Sequence, residues 1–78
     1  MKDQKQMKVQ ALERALRVCS LQLTQSESQA DELASALPLA KSPHERTSMN
    51  IVLDDQRKVI KALKRLQADV SEILEKES

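Results

Sequence analysis

Few residues of this chain have side chains that could do chemistry, and those few stand apart. Cys19 is the one cysteine and His44 the one histidine among 78 residues. A nucleophilic thiolate needs a base beside it and room for a substrate, and a metal site needs several ligands at characteristic spacing. Cys19 falls on an apolar heptad position in mid-helix, whereas His44 falls at a turn. Cys19 therefore reads as a small buried hydrophobe and His44 as an exposed turn residue. The carboxylates Asp31-Glu32, Asp54-Asp55 and Glu72, Glu75 and Glu77 are interleaved with Lys and Arg, the pattern of a solvated surface. No catalytic, cofactor-binding or metal-ligating residue is assigned, no cofactor is implied, and no enzyme activity is expected.

One charged cluster has more to offer. Arg57, Lys58, Lys61, Lys64 and Arg65 fall on outward heptad positions and form a basic face on the second half of the chain. Such a face could meet an acidic protein, an anionic lipid surface or a nucleic-acid backbone. Asp54, Asp55 and Asp69 bracket it, and 13 Lys+Arg against 12 Asp+Glu leave a net charge of only +1. No aromatic side chain is present to stack on a base. An adaptor that docks an acidic protein through this face is therefore the alternative function, with nucleic acid and membrane disfavoured. Ser42-Pro43 also fits a minimal proline-directed phosphorylation pattern, but a helix-capping serine is the preferred reading.

The rest of the composition narrows the fold. The chain has no Gly, Phe, Tyr or Trp. It thus lacks the aromatic bulk of most sheet cores and the glycines of tight hairpins and phosphate loops. One cysteine cannot form an internal disulfide, no apolar run approaches the length of a membrane span, and no signal-peptide pattern opens the sequence. An intracellular setting, cytoplasmic or nuclear, is the expectation.

Both prolines, Pro38 and Pro43, lie near the middle, and the flanking segments are rich in Leu, Ala, Gln, Glu, Lys and Arg, all good helix formers. Two helices are predicted, about 4–37 and about 43–76, around a turn at 38–42, in one helical-hairpin domain spanning 1–78. A residue before proline is pushed away from helical geometry, which ends the first helix. Ser42 then serves as N-cap, Pro43 suits the first helical position, and Glu45 stands where a capping-box acid belongs.

Heptad arithmetic predicts how the helices meet. In the first, Val9, Leu12, Leu16, Cys19, Leu23, Ser26, Ala30, Leu33 and Leu37 alternate steps of three and four. In the second, the same rule selects Met49, Val52, Gln56, Val59, Leu63, Leu66, Val70 and Ile73. These are coiled-coil seams. When the second helix is folded back, the layers Leu33–Met49, Ala30–Val52, Leu23–Val59, Cys19–Leu63, Leu16–Leu66, Leu12–Val70 and Val9–Ile73 all share a residue-number sum of 82. The polar pair Ser26–Gln56 and the charged pair Lys5–Glu77 share it as well, so each is expected to bond across the hairpin.

An apolar remainder lies beside the seams: Leu53, Ile60 and Leu74 on the second helix, and Ala11, Ala15 and Val18 on the first. A stripe wider than one helix can cover is the mark of bundle packing. The fold class is therefore expected to be all-α, an antiparallel helical hairpin (coiled coil) dimerising into a four-helix bundle, with these six residues as the self-association face. The expected partner is the chain itself, as a homodimer, or another helical protein. In composition the chain resembles the coiled-coil segments of cytoskeletal, kinetochore and trafficking subunits. The surplus apolar stripe makes a non-enzymatic oligomerisation or scaffolding module of a larger assembly the leading reading. On this reading Ile60→Asp breaks association and spares the helices, whereas Leu63→Asp unfolds the hairpin.

Overall fold

The computed structural model describes residues 2–77. Helix α1 spans Lys2–Ala36, a single 3-10 turn covers Leu37–Leu39, and helix α2 spans Pro43–Glu77. The described residues are 96% helical, and the two long helices pack side by side as an extended hairpin. Each has 35 residues, and the body measures 61 × 14 × 14 Å. It is a rod one helix pair thick.

The turn is made without left-handed backbone. Among the described residues none has a positive φ, so the absence of glycine costs nothing here. Pro38 sits in the first positions of the 3-10 turn, where a missing N–H leaves no bond unmade. The turn closes with Ala40 N–H donating to Leu37 O at 3.1 Å, and Ala40 is extended at φ −58°, ψ 130°. Helix α2 then starts at Pro43. The Glu45 N–H donates to Ser42 Oγ at 3.1 Å, and Arg46 N–H donates to Ser42 O at 3.0 Å. The Glu45 carboxylate accepts from the Lys41 N–H at 3.1 Å, one residue earlier than in a standard capping box.

Helix α1 buries the expected stripe. Cys19, Leu23 and Ala30 are buried, while Val9, Leu12, Leu16, Ser26, Leu33 and Leu37 are half-buried. The Cys19 thiol donates to the Leu63 carbonyl at 3.3 Å across the pair, at the predicted level.

Helix α2, however, is rotated about its axis. Its inward residues are Met49, Leu53, Gln56, Ile60, Leu63, Gln67, Val70 and Leu74, all buried or half-buried. Val52, Val59, Leu66 and Ile73, expected in the seam, are 50%, 50%, 53% and 42% exposed. Leu53, expected on the outer flank, is the most buried residue at 4%. Exchanging one row of seven-residue spacing for its neighbour turns the helix by about 50°. The level of pairing hardly moves, since the new layers alternate between sums of 82 and 83.

A hydrogen bond accommodates the rotation. The inward row contains Gln67, which would oppose burial if left unpaired. Gln67 Nε2 instead donates to Ser20 Oγ at 2.9 Å, and the Ser20 hydroxyl itself donates to Leu16 O at 2.9 Å. With its polar atom satisfied, this row brings three long aliphatic side chains, Leu53, Ile60 and Leu74, to the interior.

Two expected cross-links are also re-partnered. Gln56 Nε2 donates to Gln29 Oε1 at 3.3 Å rather than engaging Ser26, and Gln56 Oε1 is buried with no partner. Glu77 pairs with Lys8 at 2.7 Å rather than with Lys5, one turn away.

The rotation yields a direct stability test. Leu53→Ala is expected to cost about 2–4 kcal/mol, and Val52→Ala, half-exposed in the single hairpin, clearly less, as read by urea unfolding followed by circular dichroism. Equal costs would mean that α2 is not turned as described.

Candidate functional surfaces

The isolated reactive groups remain isolated in space. Cys19 is buried within the helix pair, and His44 is exposed in the first turn of α2. Asp31, Glu32, Asp54, Asp55, Glu72 and Glu75 are all exposed on the helix surfaces. Asp54 pairs with Lys58 at 3.6 Å and Glu72 with Lys76 at 3.5 Å, both one turn apart on α2. Among the described residues no group of three or more His, Cys, Asp or Glu is gathered as a metal site. The surface recesses are open grooves. One, about 500 Å³, is lined by Ser28, Asp31, Glu32, Ser35, Ala36 and Leu39. No helix is long and apolar enough to cross a membrane.

The bonds between the helices define the faces of the hairpin. Lys8–Glu77 and Gln29–Gln56 join one edge of α1 to one edge of α2, whereas Ser20–Gln67 joins the opposite edges. On α1, Lys8, Ala15, Gln22 and Gln29 form a single row at seven-residue spacing. The exposed row Val52, Val59, Leu66, Ile73 lies next round the helix from Gln56, Leu63, Val70 and Glu77. Both rows therefore border the same side of the hairpin.

That side is apolar. It presents Val52, Val59, Leu66 and Ile73 from α2, with Ala11, Ala15 and Val18 of α1 along the half near the chain ends. Toward the turn, α1 contributes Gln22, Gln25, Gln29 and Glu32 instead. Of the expected association residues, Ala11, Ala15 and Val18 are exposed here, whereas Leu53, Ile60 and Leu74 point into the hairpin and are corrected to core. The α2 members of this face were missed because they had been assigned to the seam. The available signal was the adjacency of two rival rows that share Met49, Gln56, Leu63 and Val70.

The other side is polar and carries part of the basic face. Arg57, Lys58, Lys61, Lys64 and Arg65 are all exposed; Arg57, Lys61 and Lys64 lie on this far side and Lys58 and Arg65 on the outer back of α2. Lys58 has Asp54 as its partner. Among the described residues Arg57, Lys61, Lys64 and Arg65 have no carboxylate within 4.0 Å. Lys58, Lys61, Ala62 and Arg65 line a shallow recess of about 370 Å³.

Comparison of the chain with protein-family models, with curated proteins and with solved structures finds no match.

At the ends of the helices one carboxyl is electrostatically tuned. The hydrogen bond from Lys8, its positive charge and the more distant charge of Lys5 together hold Glu77 below its ordinary value of 4.5, against a small opposing effect of burial. Because the folded value is the lower one, the pair stabilises the folded state above about pH 4.5 and loses that effect as the pH falls through the lowered value. Lys8→Met should return Glu77 toward the ordinary carboxylate range, as followed by NMR titration of its side-chain carbon, and should abolish the loss of end stability on acidification, because the pair is then absent at every pH.

Proposed function

We propose that this chain is a non-enzymatic protein–protein interaction module, the oligomerisation or scaffolding part of a larger assembly, which works by packing its apolar side against further helices. The observation that carries this reading is the unpaired row Val52, Val59, Leu66 and Ile73, flanked by Ala11, Ala15 and Val18. A regular row of aliphatic side chains, each 42–53% exposed, is the surface a helix bundle buries. The small side chains of Ala11 and Ala15 allow close approach.

The thinness of the interior supports the same reading. Only Cys19, Leu23, Ala30 and Leu53 are buried among the described residues. A single helix pair of this size, without disulfide or metal, has little apolar burial with which to offset the ordering of the chain. Covering the second row would add burial where the first is weakest. A reducing compartment, cytoplasm or nucleus, suits a free buried thiol.

A second reading is favoured by the unpaired cations of α2. Arg57, Lys61 and Lys64 on the side opposite the apolar row, with Arg65 on the outer back of α2, could hold an acidic protein, so both contacts could be made at once. Salt titration separates the two, since a cation-driven contact weakens steeply with ionic strength and apolar packing does not.

The decisive variants follow from the rotation. Leu66→Glu should abolish association in analytical ultracentrifugation while leaving the helical circular-dichroism signal within about a tenth of the parent's. Ile60→Asp should instead lose helix content, because it places a charge in the interior. A parent chain that remains a stably folded monomer in the micromolar range would overturn the module.

A further inference from the structure

We infer that the occupant of the apolar side is a second copy of this chain laid antiparallel across it, so that Val52 of one copy meets Ile73 of the other and Val59 meets Leu66. The inference rests on the interaction-module reading above and specifies both its partner and its geometry.

The row is self-complementary. A two-fold axis midway between Val59 and Leu66 exchanges Val59 with Leu66 and Val52 with Ile73 at a single offset. Two-fold contacts of this kind use the same patch on both copies. Each short valine then faces a longer Leu or Ile, the alternation that lets facing layers interdigitate. The antiparallel arrangement sets α2 on α2, so the α2 row covers itself, and α1 on α1, so that only the smaller Ala11, Ala15 and Val18 lie level with Gln29, Gln25 and Gln22. A two-fold axis along the rod would set α2 on α1 of the other copy. Val52 and Val59 would then lie against Gln29, Gln25 and Gln22, and half of the row would be spent on amides.

The charges at the rim point the same way. On the apolar side, Lys8 and Lys76 stand near the chain ends together with Asp69 and Glu77, Lys8 paired with Glu77, whereas Glu32 and Asp55 stand toward the turn. Because Cys19 lies level with Leu63, the axis passes α1 close to Ser20, which places Lys8 of one copy opposite Glu32 of the other. The parallel arrangement would bring Lys8 beside Lys76 instead. The antiparallel arrangement has two unfavourable contacts related by the axis, since Asp55 of each copy faces Asp69 of the other. Removing the Asp69 charge should therefore tighten the dimer.

Pulsed electron–electron distance measurements test the geometry on the full chain carrying Cys19→Ala and a spin label at either Lys76→Cys or Lys61→Cys. The antiparallel dimer separates the two labels at position 76 by about 40 Å along the rod, and those at position 61 by about 5 Å. In the parallel dimer the labels at both positions sit level with each other. A dimer with similar distances at both positions overturns the antiparallel arrangement and leaves the module intact, whereas absence of any dimer overturns the second copy as occupant. Two measurements avoid replacing the core cysteine. In mixed-isotope dimers of the parent chain, methyl contacts between Val59 of one copy and Leu66 of the other support the proposal, and their absence counts against it. Asp69→Asn should strengthen dimerisation about two- to fivefold, and an unchanged or weaker dimer counts against it.

Discussion

The rotation of α2 about its own axis is the constraint from which the other surfaces of this hairpin follow. It is accommodated where Gln67 donates to the Ser20 hydroxyl. An amide turned inward without a partner would offset much of what a single apolar side chain returns. With that amide satisfied, the row containing Gln67 can face inward and carry Leu53, Ile60 and Leu74 with it. The row of Val52, Val59, Leu66 and Ile73 is then left outside. One polar contact thus permits Leu53, Ile60 and Leu74 to hold the hairpin together while Val52, Val59, Leu66 and Ile73 remain available to another molecule. Arg57, Lys61 and Lys64 of α2 then lie on the opposite side.

Much of the fold was legible because several independent signals agreed. The two prolines mark the corner, Ser42 and Glu45 cap the helix that follows, and both flanking segments favour helix throughout. The stripe of α1 was legible because that helix has a single strong apolar row set, and Cys19 pairs with Leu63 at the expected level. Helix α2 was different. Its rows overlap, sharing Met49, Gln56, Leu63 and Val70, so both candidate seams obey the same steps of three and four. Counting apolar residues favours the row of Val52 over the row interrupted by Gln67. What the count leaves out is that a serine on the other helix stands ready to bond that glutamine. Pairing of polar groups across helices depends on rotation, and rotation is what the count was used to infer.

The re-partnered ends and middle share this origin. Lys8 replaces Lys5 as the mate of Glu77, and Gln29 replaces Ser26 as the mate of Gln56. In both cases the partner on α1 lies one turn closer to the hairpin corner than the residue chosen by level alone. Long side chains on the flanking rows reach across more readily than seam residues, whose atoms are committed to packing. Sequence level therefore locates such contacts to within a turn, and side-chain length and direction choose among the residues of that turn.

The corner between the helices has a consequence for how the molecule forms. Two ring-locked residues bracket a span of six, Pro38 to Pro43, and the described backbone there uses no left-handed geometry. The disordered chain consequently has few ways to arrange this stretch, and little freedom is surrendered when it adopts the bend. The first contacts to close are those just beside it, between residues close in sequence, and pairing can then proceed outward toward the ends as a zipper closes. A topology dominated by such short-range closure belongs to the fast end of the folding-rate scale.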